Sequence, residues 1–133
     1  MLIAPDPWAC KSIECPQVHE FDIAVIGVGA AGLSVAAGAA QLGARVALIS
    51  RDPLGGDCLH YGCVPSKSLI HVAALAHRIH QAGELGLDAR LGLIDLGQVS
   101  GYVRRVIQAI APNDSPERFH SLGAEVIFGQ ARF

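Results

Sequence analysis

The chain has 133 residues, which is enough for one domain with a buried core. Its 10 basic and 12 acidic residues give a net charge of -2, so it lacks the basic surface that a nucleic acid partner requires. Hydrophobic residues make up 51% of the chain and aromatic residues only 5%, a composition that favours close packing of helices on a sheet.

Residues 1–20 are predicted to form a flexible leader. They contain Pro5, Pro7 and Pro16, and they have no basic stretch followed by an uninterrupted apolar one. A secretory signal needs both of those features in that order. We therefore expect the folded domain to begin near residue 21.

A strand, a helix and a second strand are predicted between residues 21 and 49. Phe21–Ile26 is a short apolar run that indicates a mostly buried strand, and Arg45–Ile49 indicates another. Small residues dominate between them, and Gly43 marks the end of the helix. The stretch is apolar enough to resemble a membrane span, but Gln41 and Arg45 interrupt it. We therefore predict a βαβ unit and no membrane partner.

A glycine-rich turn, Gly27 to Gly32, joins the first strand to the helix in the pattern G-x-G-x-x-G. Gly27 permits a sharp turn, Gly29 allows a diphosphate to approach the backbone, and Gly32 lets helix and strand pack closely. The free amides at the helix start then face the phosphates. The pattern predicts a dinucleotide-binding loop, and a helix that is merely close-packed is the alternative.

The end of the second strand departs from the usual dinucleotide-binding pattern. An acidic residue about 20 residues after the glycines normally holds the ribose hydroxyls, and here that position is Ser50. A serine hydroxyl can make one such hydrogen bond but cannot bind both hydroxyls. Either Asp52 takes this role from the following loop, or the ribose is held less tightly.

Two cysteines, Cys58 and Cys63, are close enough in sequence to form a redox pair, because they can close a small loop and alternate between dithiol and disulfide. Cys63 begins a helix-compatible stretch that ends near Gln81 and has Pro65 in its first turn. The helix macrodipole favours a thiolate at that position. Lys67 lies one helical turn further on the same face, where its ammonium can support negative charge.

Zinc binding is the alternative interpretation of these cysteines. A zinc site needs two further ligands, which Cys10, Cys15, His77 or His80 would have to supply. Cys10 and Cys15 lack a glycine or helix context, and we interpret them as incidental thiols. Four cysteines in a chain without a secretory signal indicate a cytoplasmic protein with redox or metal chemistry, and we predict no metal site.

The other predicted elements are a loop, two helices and a strand. The segment that leads into Cys58 is rich in proline and glycine and is predicted to be a loop, with His60 as a solvated loop residue. Leu96–Ile110 has the apolar spacing of one helical face, so we predict a helix that packs on a flat surface. Ser115 is predicted to cap a short helix, which precedes a strand at Glu125–Phe128.

The segment Gly55–Lys67, with the sequence GGDCLHYGCVPSK, resembles the active-site segment of the class I pyridine nucleotide-disulfide oxidoreductases. That family includes dihydrolipoamide dehydrogenase, glutathione reductase and mercuric reductase. Within this segment, Cys58–Cys63 (CLHYGC), together with Pro112–Phe119, looks most similar to mercuric-reductase-like members. Ile127–Phe133 resembles the strand whose backbone, around Gln130 and Ala131, contacts adenine in the family. The resemblance covers residues 21–133.

By this resemblance, residues 21–133 are the first part of a Rossmann-like FAD-binding domain, an α/β fold with a parallel sheet. Cys58 is implied to be the interchange thiol that meets the substrate, Cys63 to lie against the flavin ring, and Lys67 to lie near the flavin's reactive nitrogen. The implied cofactor contacts are Gly27, Gly29, Ala31, Gly32, Ser50, Arg51, Asp52, Gly56, Asp57, Lys67 and Ala131.

The resemblance also implies a longer enzyme. NAD(P)H would reduce FAD, FAD would reduce the Cys58–Cys63 disulfide, and the dithiol would reduce an external disulfide or a metal ion such as mercuric ion. The family's NAD(P)-binding and dimerisation domains are missing, so we expect an N-terminal fragment of a homodimeric protein. A truncated, non-catalytic flavin-binding module is the alternative. Asp57 stands where many relatives carry threonine near the diphosphate, so its charge needs an offset from Arg51 or from backbone amides.

Overall fold

The structure, a computed structural model, describes residues 19–132. Nearly all of the predicted leader, including Cys10 and Cys15, lies outside the described residues, as does Phe133. The described strands are β1 (Ile23–Ile26), β2 (Val46–Ser50) and β3 (Ala124–Phe128). The described α-helices are α1 (Ala30–Gln41), α2 (Gly56–His60), α3 (Cys63–Gln81), α4 (Leu96–Ile110) and α5 (Pro116–Ser121), with 3₁₀ turns at Ala82–Leu85 and Ala111–Asp114.

The three strands form one parallel sheet in the order β1-β2-β3. Val46 of β2 lies between Ile23 of β1 and Ala124 of β3, which sets the register across the sheet. The chain passes from β1 through α1 to β2, so the predicted βαβ unit is present. The expected α/β fold with a parallel sheet is confirmed, and the carboxyl ends of all three strands lie at one edge.

The hydrophobic core lies between α1 and one face of the sheet. Leu48 and Val46 are fully enclosed, and Leu33 and Ala36 of α1 belong to the same buried cluster. Because most buried positions of α1 are alanine, its axis can approach the strands closely. Phe119 of α5 completes the cluster beside β3. This packing fixes the start of α1 above the carboxyl edge of the sheet.

The first strand is less buried than the sequence predicts. The side chain of Ile23 is 38% exposed and that of Ile26 is 53% exposed, whereas β2 is buried along nearly its whole length. Within the described residues β1 pairs with β2 alone, so only one of its edges is covered. The prediction of a mostly buried strand was therefore wrong, because an apolar run carries no information about how many neighbours a strand has.

The long helices α3 and α4 have the bounds that the sequence predicts, but α4 does not pack as expected. It packs mainly against α3, with a smaller contact on α2, and not on a flat surface. The rings of His71 and Tyr102 approach to 6.4 Å across this pair of helices. Asp95 caps α4 by accepting hydrogen bonds from the amides of Gly97 and Gln98. The apolar face of α4 is thus covered in part by another helix.

The last helix and strand follow the prediction. Ser115 Oγ accepts a hydrogen bond from the amide of Arg118 at 3.2 Å, and a proline follows it at the first helical position. After α5 the backbone of Gly123 has a φ of 97°, in the left-handed region that favours glycine. His120 of α5 accepts a hydrogen bond from the amide of Val126 in β3. These contacts hold α5 against β3.

No helix within residues 19–132 combines the length and the apolar character needed to cross a membrane. The apolar stretch from Ile23 to Ile49 is a strand, a helix and a strand, as the interruptions at Gln41 and Arg45 predict.

An ion pair joins the starts of the first two strands. Asp22 Oδ2 accepts a hydrogen bond from the amide of Arg45 at 2.8 Å, and Asp22 Oδ1 accepts one from the guanidinium at 2.9 Å. The guanidinium hydrogen bond from Arg45 lowers the pKa of Asp22 from 3.8 to about 2. The carboxylate is therefore charged in the folded chain at pH values where an unfolded chain would already bind a proton.

We expect the Asp22–Arg45 pair to make the stability of the fold depend on pH. The pKa of Asp22 is depressed in the folded state, so its contribution is present above pH 4 and is lost as the pH falls towards about 2. Because both side chains are largely exposed, the effect is small. Urea unfolding of wild type and Asp22→Asn at pH 6, 4 and 3 checks it. The variant should lose less stability over this range, and equal losses in both proteins would contradict the assignment.

Candidate functional site

The glycine-rich turn has the backbone features that its sequence predicts. Gly27 has a φ of 103°, which only glycine adopts readily, and its amide donates to the carbonyl of Ile49 at 2.9 Å. A Cβ on Gly32 would collide with the carbonyl oxygen of Gly27. Gly29 differs, because no atom of a non-neighbouring described residue lies within 4 Å of the position its Cβ would take. Gly27 and Gly32 shape the turn, and Gly29 leaves open space beside it.

Three helices near the glycine-rich turn are each preceded by a glycine. Gly29, Gly55 and Gly62 precede α1, α2 and α3, and within residues 19–132 no side chain accepts a hydrogen bond from the first amides of these helices. Asp95 and Ser115, by contrast, cap α4 and α5. Uncapped amides at a helix start attract anionic oxygens, and the macrodipole adds to that attraction. The start of α1, beside the open space at Gly29, fits a diphosphate.

The predicted loop is present over residues 51–55, but it ends earlier than the sequence predicts, because α2 begins at Gly56, two residues before Cys58. Gly55 has a φ of 103° and turns the chain into α2, whose Leu59 is buried against it. The amide of Gly55 donates to the carbonyl of Val28 at 3.1 Å. A helix of five residues is too short to show apolar periodicity, which explains why the sequence did not reveal it.

The redox segment packs directly on the glycine-rich turn. A Cβ on Gly56 would lie 2.8 Å from the Cα of Gly29, so these two backbones touch. Only glycine at position 56 permits this approach, and its φ of 54° also favours glycine. The start of α2, and with it Cys58, is therefore fixed next to the start of α1.

The two cysteines lie on consecutive helices and are free thiols. Cys58 is half-buried on α2, whereas Cys63 is exposed at the first position of α3. The carbonyl of Asp57 accepts hydrogen bonds from the amides of Tyr61 and Gly62, which holds the short connection between the helices. The structure thus brings the predicted redox pair together at the edge that carries the glycine-rich turn.

The thiols interact with each other and with a nearby ammonium. The neighbouring Cys63 thiol raises the pKa of Cys58, partial desolvation raises it further, and the charge of Lys67 opposes both effects. Lys67 lies one turn along α3, as its spacing predicts.

His60 is more constrained than a solvated loop residue, so that prediction was wrong. It is half-buried, and its Nε2 donates a hydrogen bond to the carbonyl of Leu54 at 3.0 Å. Its ring lies 6.1 Å from that of Tyr61, which is exposed. No local sequence signal marks this bond, because it depends on how the segment from Leu54 folds back on α2.

Ser50, the last residue of β2, makes its side-chain hydrogen bonds within the turn that follows the strand. Ser50 is only 8% exposed, and its Oγ donates to the carbonyl of Asp52 at 3.0 Å and accepts from the amide of Asp52 at 3.1 Å. Arg51 Nε donates to Asp52 Oδ2 at 3.2 Å, and both of these side chains are exposed. Arg51 thus pairs with Asp52 and not with Asp57. The carboxylate of Asp57 lies in the first turn of α2, where the helix amides favour negative charge.

A cleft of about 430 Å³ opens beside this turn. Its walls are largely apolar, and charged side chains stand at the end of β2. The amide of Gly129 donates to the carbonyl of Ser50 at 2.8 Å, so the segment that contains Ala131 leaves β3 next to the end of β2. The cleft is lined by Arg51, Asp52, Pro53, Leu54, His60, Ala111, Asp114, Ser115, Pro116 and Phe128.

Among residues 19–132 no group of three or more His, Cys, Asp or Glu side chains is arranged to hold a metal ion. His77 and His80, two of the four possible further zinc ligands, lie towards the far end of α3 from Cys63. Cys10 and Cys15 lie outside the described residues.

The chain is similar to known oxidoreductases. A family model described as pyridine nucleotide-disulphide oxidoreductase matches residues 21–128. A dihydrolipoyl dehydrogenase of Haloferax volcanii is 36% identical over 84% of this chain and 23% of its own length. A mercuric reductase of Lysinibacillus sphaericus is 30% identical over 85% of this chain and 21% of its own length. A dihydrolipoyl dehydrogenase of Zymomonas mobilis is 40% identical over 71% of this chain and 20% of its own length. The chain spans about a fifth of the length of these curated relatives.

Proposed function

This chain belongs to the pyridine nucleotide-disulphide oxidoreductase family, and on that premise we propose that residues 21–133 are the first part of an FAD-binding domain with a redox-active disulfide. The observation that carries the proposal is the contact between Gly29 and Gly56. It joins an uncapped helix start, suited to a diphosphate, to the helix that carries Cys58. A cofactor whose diphosphate is bound at the start of α1 would have its reactive ring within reach of the dithiol.

The residues of this edge fit FAD at the diphosphate. The amides at the start of α1, including that of Ala31, would bind the phosphate oxygens, and the open side of Gly29 would admit them. Gly56 would keep α2 close enough to share that anion. When bound, FAD would supply a two-electron carrier between a nicotinamide and the cysteine pair.

Cys58 and Cys63 would divide the thiol chemistry between them. With two electrons and two protons added, their disulfide becomes a dithiol. Cys58, after losing its proton, would attack one sulfur of a substrate disulfide, which breaks the substrate S–S bond and releases the other sulfur as the first substrate thiol. Cys63, after losing its proton, would then attack the Cys58 sulfur of this mixed disulfide, which re-forms the Cys58–Cys63 disulfide and releases the second substrate thiol. Lys67 favours the anionic forms, because its charge lowers the cost of removing the proton from Cys58.

The proposal also covers the full-length protein to which this chain would belong. We propose that NAD(P)H supplies the electrons through a domain outside this chain, that the full-length protein is a homodimer, and that it works in the cytoplasm. Similarity to dihydrolipoyl dehydrogenases and to a mercuric reductase supports two substrate classes, a small disulfide of the lipoamide type or mercuric ion.

The test is an absorption spectrum of the 133-residue chain after incubation with FAD, gel filtration and anaerobic titration with a dithiol reductant. We expect the flavin to co-elute and a long-wavelength thiolate–flavin band to appear on reduction. Cys63→Ser should abolish the band, because it removes the thiolate next to the flavin. Cys58→Ser, the matched control, should retain a thiol at Cys63 and hence the band.

The outcomes separate the candidate functions. Flavin that co-elutes without any band in the wild type would favour the alternative, a non-catalytic flavin-binding module. Loss of the flavin from a chain that remains folded would overturn the proposal for this chain. A band that survives Cys63→Ser but not Cys58→Ser would reverse the assigned roles of the two cysteines.

A further inference from the structure

The end of β2 lacks the acidic residue that usually binds the adenosine ribose of a dinucleotide, yet a carboxylate stands two residues further on. The following inference rests on the proposed function, because it concerns how this chain would hold the adenosine end of FAD. Ser50 occupies the usual acidic position, but its side chain is buried and its hydroxyl makes two hydrogen bonds within the turn. Ser50 therefore has little capacity left for a ligand.

Those two hydrogen bonds determine where Asp52 lies. The Oγ of Ser50 binds both the amide and the carbonyl of Asp52, so it fixes the backbone on either side of the Asp52 Cα. The Asp52 side chain is directed outwards, with 69% of it exposed, and it lines the cleft at the carboxyl edge of the sheet. A buried hydroxyl thus holds an exposed carboxylate in place at the strand end.

Arg51 leaves one oxygen of that carboxylate available. Its Nε binds Oδ2 of Asp52, and among the described residues Oδ1 makes no side-chain hydrogen bond. The guanidinium offsets the charge of Asp52, which would otherwise repel the nearby diphosphate. The open oxygen remains an acceptor for a hydroxyl, and a charged acceptor makes a stronger hydrogen bond than a neutral one.

We infer that Asp52 accepts the ribose hydroxyls of the adenosine and that Ser50 is a positioning residue that fixes Asp52 in the turn. The acidic ligand has therefore moved from the last residue of β2 into the loop that follows it. Arg51 offers the competing chemistry, because an arginine at this edge can instead bind a ribose 2′-phosphate. The two cases differ in how the site responds to the substituent at the 2′ position.

The experiment measures displacement of FAD from the full chain by ADP, 2′-deoxy-ADP and adenosine 2′,5′-bisphosphate, followed by flavin fluorescence. We expect the wild type to prefer ADP over 2′-deoxy-ADP by about tenfold, the size of one charge-assisted hydrogen bond. Asp52→Asn should reduce this preference to near unity. Asp88→Asn, which removes a carboxylate from a similar exposed pair with Arg90, should leave it unchanged.

Two further variants separate positioning from simple folding. Ser50→Ala removes both turn hydrogen bonds and should lower the preference for ADP over 2′-deoxy-ADP as Asp52→Asn does. Ser50→Thr keeps the hydroxyl and should restore it. If Ser50 had a purely structural role, Ser50→Ala would instead weaken the binding of ADP and of 2′-deoxy-ADP equally.

Three results would overturn the inference. If Asp52→Asn kept the wild-type preference for ADP over 2′-deoxy-ADP, Asp52 would not bind the ribose. Tighter binding of adenosine 2′,5′-bisphosphate than of ADP would assign the site to Arg51 and a phosphate. A wild-type chain that binds neither FAD nor ADP would overturn the proposed function itself, and the inference with it.

Discussion

Replacing Gly32 with alanine is expected to lower the free energy of unfolding of the chain by about 3 kcal/mol, as overpacking against a rigid backbone does. The added Cβ would overlap the carbonyl oxygen of Gly27 and lie 3.1 Å from its carbonyl carbon. Because Gly27 is held by its hydrogen bond to Ile49, the strain is relieved only if α1 moves away from the sheet. That movement would open the core between Ala36 and Leu48.

Gly38→Ala is the matched control for this change. Gly38 lies in the same helix, is exposed, and has no atom of a non-neighbouring described residue within 4 Å of its Cβ position. Alanine has a higher helix propensity than glycine in a helix interior, so we expect Gly38→Ala to raise the free energy of unfolding by about 1 kcal/mol. Urea unfolding followed by circular dichroism measures both variants. Equal changes in Gly32→Ala and Gly38→Ala would show that α1 does not approach Gly27 as closely as described.

Replacing Gly29 with serine is expected to weaken FAD binding by about 10- to 100-fold, because the change removes charge-assisted hydrogen bonds to the diphosphate. Gly29 has a φ of -75° and open space at its Cβ position, so the fold accepts a side chain there. A serine at this position can also cap α1 by accepting hydrogen bonds from its first amides. Those are the amides that the diphosphate would otherwise bind.

The two effects of Gly29→Ser have opposite signs, which makes the experiment decisive. Stability should hold or rise by about 0.5 kcal/mol, since serine is a better cap than glycine. Fluorescence titration with FAD should show the loss of affinity. Gly38→Ser, further along the same helix, should leave FAD affinity unchanged. If Gly29→Ser bound FAD as tightly as the wild type, the diphosphate would not lie at the start of α1.

The helices that the sequence predicts best are those with a long local pattern. The bounds of α3 and α4 follow from the apolar spacing of Leu96–Ile110 and from the proline in the first turn at Cys63–Gln81. The five residues of α2 carry no such pattern, and a left-handed glycine at position 55 starts the helix. A sequence pattern describes one segment at a time, so it predicts neither the contact of α4 with α3 nor the exposure of β1.

The same limit applies to the site. The turn at Gly27 and the close packing at Gly32 follow from residue type, because only glycine tolerates those backbone positions. The role of Ser50 could not be predicted, because its hydroxyl is taken up by a turn whose shape depends on the surrounding fold. The contact of Gly56 with Gly29 joins two segments that are separate in sequence, and no local pattern marks it.

The order of strands in the sheet has a consequence for the path of folding. β1 and β2 are joined by a single helix, so their pairing closes a short loop. β3 pairs with β2 only after about 70 intervening residues, and loop-closure entropy opposes such long-range contacts early in folding. We therefore expect the glycine-rich turn to belong to the folding nucleus, with Gly27 and Gly32 in place before β3 docks. A substitution at Gly32 would then slow the folding reaction as well as shift its equilibrium.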